Sequence, residues 1–121
     1  MPYPPKLREN ILARSWKLLH GSMPAYDAQL AKAVKRGDLV SVNHRAAGFL
    51  ETYFDFLFAL NETTHPGEKR LIQLCRERCP LLPAHFEENL ERLFQDLYHA
   101  PEQVAGDIEA IILELEKIYQ P

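Results

Sequence analysis

LVSVNHRAAGFLETYFDFLFALN, residues Leu39 to Asn61, is the segment from which the architecture follows. Val42, Ala46, Phe49, Leu50, Tyr53, Phe54, Phe56, Leu57, Phe58 and Leu60 recur at helical spacing, and in the second half apolar side chains fall on nearly every side. A helix with a single apolar stripe lies on a surface, whereas one that is apolar almost all round has neighbours on several sides. The segment therefore predicts a helix buried in the middle of a bundle, with its aromatic cluster as core. Asp38 stands where a cap carboxylate receives the first backbone N–H groups. Gly37 stands where a preceding helix would end in left-handed backbone.

On the N-terminal side, Leu12, Trp16, Leu19, Met23, Tyr26, Leu30 and Ala33 keep one phase at alternating steps of four and three. Pro4 and Pro5 suit a first turn, and Lys35 and Arg36 suit a last one. Because the phase survives Gly21, Ser22 and Pro24, the expectation is one long first helix, kinked near Pro24. On the C-terminal side three shorter helices are predicted. One runs from Pro66 to Cys79 with Leu71, Ile72, Leu74 and Cys75 inward, and is stopped by Pro80. The next runs from about Pro83 to Tyr98 with Phe86, Leu90, Leu93, Phe94 and Leu97 inward. The last starts at Pro101 with Val104, Ile108, Ile111, Ile112, Leu115 and Ile118 inward. Strand-like alternation and Asn-Gly or Asp-Gly turns are lacking. The expected fold is all-α, an antiparallel bundle of about five helices forming a single domain over residues 1–121.

The 121 residues are 46% hydrophobic and 26% charged, the balance of an ordinary globular domain. A formal net charge of -3 provides no global field to hold a phosphate backbone, so general nucleic-acid binding is not expected. No run is apolar for long enough to span a bilayer, and Met1 to Lys6 lacks the apolar core of a signal peptide, which predicts a cytoplasmic location. Cys75 and Cys79, four residues apart on one helix face, read as reduced core thiols rather than a metal site. Glu109, Glu114 and Glu116 read as a solvated face.

Polar residues of several kinds crowd the turn from Asn61 to Arg70. A helix start exposes unpaired N–H groups and positive dipole charge, so it favours anions. Lys69 and Arg70 add cations to that end, partly offset by Glu68, and a bound phosphate would resolve the conflict. Asn61, His65, Gly67, Lys69 and Arg70 are the candidate binding residues. Two plainer roles stand beside this one: Asn61 as a C-cap, and His65 as a turn residue. Arg14 and His20 match the loose Arg-x(4–6)-His signature of HEPN ribonucleases, although a spacing of six does not place them on one helix face. The sequence lacks a phosphate-binding glycine loop, a zinc-protease motif and a nucleophile elbow. It also has no Gly-Ser turn followed by paired aspartates that could hold catalytic magnesium.

Three motifs together look like a known domain: Lys35-Arg36-Gly37-Asp38, Tyr53-Phe54-Asp55-Phe56-Leu57-Phe58-Ala59-Leu60-Asn61, and His65-Pro66-Gly67-Glu68-Lys69-Arg70. They resemble the helical C-terminal domain that follows a nucleotidyltransferase head in bacterial proteins similar to the aminoglycoside nucleotidyltransferases, an arrangement shared with the HEPN superfamily of bundles. The resemblance extends from the first helix to about Leu93. It implies an accessory domain in which Lys69 contacts nucleotide phosphates, with Asn61 and His65 either supporting those contacts from behind or touching the acceptor. The metal-binding carboxylates would belong to a head domain or partner chain. On that reading the chain is not catalytic alone and holds no cofactor or metal of its own; ATP or another nucleotide with Mg would bind jointly with the head. The alternatives are a protein-interaction or homodimerisation module and, third, an HEPN-like ribonuclease.

Overall fold

The computed structural model describes residues 3–67 and 69–120. Among them are six α-helices: α1 (Pro5–Leu19), α2 (Tyr26–Lys35), α3 (Leu39–Leu60), α4 (Leu71–Arg78), α5 (Phe86–His99) and α6 (Val104–Ile118), with one 3-10 turn, Pro101–Gln103, leading into α6. The chain is all-α, and no helix among the described residues is long and apolar enough to cross a membrane.

The central helix forms as its pattern predicts. Asp38 accepts hydrogen bonds from the Ser41 N–H at 3.2 Å and the Ser41 hydroxyl at 2.8 Å. These bonds, joined by Arg36, hold its carboxyl below the usual carboxylate range. Gly37 takes the left-handed φ of +68°. From Phe49 to Leu60 almost every residue is buried, and α1 and α2 both pack along α3. Ring contacts join Phe49 to Tyr53, Tyr53 and Phe54 to Phe86 of α5, and Phe56 to Trp16 of α1 and to Tyr119. Gly48 lets the Tyr26 ring of α2 lie against the α3 backbone, since a Cβ there would stand 2.7 Å from that ring. All six helices contribute to one apolar cluster.

The expected long kinked first helix is two helices, so the bundle has six rather than five. His20 is extended, Gly21 has a φ of +134° that side-chain-bearing residues rarely adopt, and Pro24 brings no N–H to continue a helical ladder. Asp27 then fastens the connection, accepting from Gly21 N–H at 3.2 Å and lying 2.6 Å from His20 Nδ1. The apolar stripe stays in phase across the break, but Met23 within it is 50% exposed. The two halves reach α3 separately.

Two further helix starts fall later than the proline signals suggest. α4 begins at Leu71, not Pro66, because Gly67 (φ +109°) and Arg70 (φ +55°) are left-handed. α5 begins at Phe86 after left-handed His85. Phe94, expected inward, is 41% exposed and looks out over the space between α5 and α4. Cys75 and Cys79 are buried free thiols, and burial raises both above the ordinary thiol range.

Among the described residues one acid lies inside the bundle. Asp107 of α6 is 7% exposed, and its Oδ2 has no hydrogen-bond partner among those residues. Burial pushes its pKa up to about 7, assisted by proton sharing with and charge repulsion from Asp96 of α5, and opposed by Arg92.

Candidate functional site

The turn after α3 is held by side chains that the sequence had marked as ligand contacts. Asn61 donates from Nδ2 to the Leu57 carbonyl at 2.8 Å and to the Leu81 carbonyl at 2.9 Å, and its Oδ1 accepts from the Leu81 N–H at 2.8 Å. The amide thus has both of its protons and its oxygen engaged. It caps α3, the plainer of its two sequence readings, and also ties down a loop twenty residues on. Left-handed Glu62 completes the helix end, where Thr63 N–H reaches the Phe58 carbonyl at 2.9 Å. Asn61→Ala is expected to cost about 2 kcal/mol, because the Leu81 groups lose their partner and the helix its cap. Urea unfolding followed by circular dichroism measures this.

His65 also serves the turn. Its Nδ1 accepts the Gly67 N–H at 3.1 Å, which leaves the ring proton on Nε2, 3.5 Å from Asp55 Oδ1 on α3. The imidazole stands edge-on to Phe58, centroids 5.1 Å apart. With its Nδ1 taken by the Gly67 N–H, His65 fixes backbone through that nitrogen. It also uses the Gly67 N–H that an anion would otherwise take.

On one side of His65 lies a cavity of about 410 Å³ lined by Glu51, Asp55, His65, Gly67 and Leu71. On the other, a cavity of about 300 Å³ shares Asp55 and His65 and adds Arg14 and Thr64 over an apolar floor that includes Ile11 and Phe58. Glu51 and Asp55 are four apart on α3, so they present two carboxylates on one face. Neither was singled out from sequence, although their spacing inside an apolar helix was the available signal. Lys69 is exposed and lies between Gly67 and Leu71, both of which line the larger cavity. Arg70, equally exposed, lines a different surface, the valley between α4 and α5. Glu68, the expected offset to these cations, lies outside the described residues.

Among the described residues α4 starts without a side-chain cap, and no acidic residue occupies its first turn. A helix start of this kind suits an anion. The site brings together His65, Gly67 and Lys69, uses Asn61 internally, and turns Arg70 away.

Arg14 and His20 do not converge, since they line separate cavities. His20 is gripped between Asp27 and Glu116, 3.7 Å from Nε2. Glu116 therefore faces an imidazole, and Glu114 pairs with Lys117 at 2.8 Å, so the acidic face of α6 is more engaged than a solvated run.

Comparison of the chain with protein-family models, with curated proteins and with solved structures gives no match. Fold and site by themselves define an all-helical bundle carrying a braced polar turn beside a carboxylate-walled cavity.

Proposed function

We propose that the chain is an accessory helical domain of a nucleotidyltransferase, with Lys69 contacting the nucleotide phosphates. The observation that carries this reading is the bracing of the turn: Asn61 and His65 spend hydrogen bonds on the backbone, while the cation between Gly67 and Leu71 is left exposed. Fixing the support and leaving one charged side chain outward is how a protein preorganises a phosphate contact. Glu51 and Asp55 would face an acceptor bearing hydroxyl or amino groups. Asn61 and His65 act on the ligand only through the turn.

In this reading Mg accompanies the nucleotide and is held by carboxylates of a head domain or partner chain. This chain's own contribution is Lys69 at a helix start that has no side-chain cap among the described residues, which suits a phosphate. HEPN-like cleavage has less support, because its histidine and arginine lie apart. The chain itself should bind Mg-ATP at millimolar concentration, moving the amide resonances of Gly67, Lys69 and Leu71. Lys69→Ala should weaken that binding about fivefold, the loss of one exposed charge-assisted contact. Amides that do not move, or an unchanged affinity in the variant, would sink the role given to Lys69.

A further inference from the structure

A valley between α4 and α5 leaves apolar surface open among the described residues. It is a cavity of about 410 Å³ with Phe54, Leu71, Ile72 and Phe94 as its apolar lining and Arg70 and Arg76 at its edge. Along α5 the positions Glu87, Glu91, Phe94 and Tyr98 follow at helical spacing on one face, and Tyr98 is 83% exposed. An aromatic ridge thus stands beside an apolar valley, the composition of an interface centre.

The two walls carry opposite charge. Residues Lys69 to Arg78 hold four cations, Lys69, Arg70, Arg76 and Arg78, against Glu77 alone. α5 holds Glu87, Glu88 and Glu91 against Arg92, while its Asp96 faces Asp107 of α6. Among the described residues the Arg76–Glu87 pair, at 2.8 Å, is the ion pair that joins α4 to α5. A uniformly acidic partner would meet repulsion from α5, and a uniformly basic one from α4. A partner with both signs in the matching order suits the surface, and a second copy of this chain turned by a two-fold axis has that order.

We propose that this surface is an isologous interface between two copies of the chain. The Phe94–Tyr98 ridge of each enters the valley of the other, α4 against α5. The site beside His65 is not required for it, so this inference does not depend on the nucleotide reading.

Sedimentation of the full chain from roughly ten to several hundred micromolar should show a monomer–dimer equilibrium that weakens with added salt. Phe94→Glu should weaken it at least about tenfold while the helical circular dichroism stays unchanged. Two charge-reversed chains sharpen the test: Arg70→Glu with Gln73→Glu and Arg76→Glu makes the α4 wall acidic, and Glu88→Lys with Glu91→Lys makes the α5 wall basic. Each alone should be monomeric, and an equimolar mixture should dimerise. A wild-type chain that stays monomeric throughout, a dimer that Phe94→Glu leaves intact, or reversed chains that each dimerise alone would overturn the proposal.

Discussion

Phe56→Ala is expected to destabilise the chain by about 3–5 kcal/mol, enough to consume much of the stability of an ordinary domain. Phe56 is fully buried, its ring centroid lying 4.9 Å from that of Tyr119 and 5.9 Å from that of Trp16. It therefore joins α1, α3 and the segment after α6 at one point. Removing it forfeits the burial of a large ring and leaves a cavity that three elements would have to collapse together to fill. The measurement is the urea midpoint at constant slope. A loss below about 1 kcal/mol would mean that these elements do not meet there.

Asp107→Asn should stabilise the protein by about 2–3 kcal/mol at pH 8 and by almost nothing near pH 4. In the unfolded chain this carboxyl titrates near 4, and in the fold its value is about 7. Between those limits the folded state holds a proton that the unfolded state has released. The stability from that proton is present in full below the unfolded value and is lost as pH rises through the folded one. A shift of about three units sets a ceiling near 4 kcal/mol, lowered because water can reach Asp96. Asparagine keeps the shape and a donor but carries no charge. Thermal unfolding of both proteins across pH 4 to 8 should show curves that meet at the acid end and separate toward the alkaline end. Parallel curves would show that Asp107 titrates normally.

Most of what the sequence disclosed came from local signals. α3 was legible because its apolar density, Asp38 and Gly37 all act within a few residues of one another. The break between α1 and α2 was not, because the stripe from Leu19 through Met23 to Tyr26 stays in phase while the backbone between leaves the helix. Periodicity reports which face a residue would occupy if the helix continued, and says nothing about whether it does. Gly21 and Pro24 were the better evidence there. Of the candidate site, the crowding of polar groups marked the right turn, but the division of labour within it depends on partners far along the chain. Asn61 bonds to Leu81, and His65 faces Asp55 across the end of α3. Likewise Asp107 meets Asp96 only through the packing of α5 on α6. A residue's type announces the bonds it can make, whereas the fold determines which it has already used.

The bond from Asn61 to Leu81 has one more effect. By joining the ends of a twenty-residue excursion, it makes the turn and α4 a closed loop anchored on the rigid end of α3. The entropy of closing such a loop, which grows only with the logarithm of its length, is lost when the chain folds and not when something binds. A ligand or partner meeting this excursion finds it already gathered, so contacts made there express their strength as affinity instead of spending it on ordering the segment.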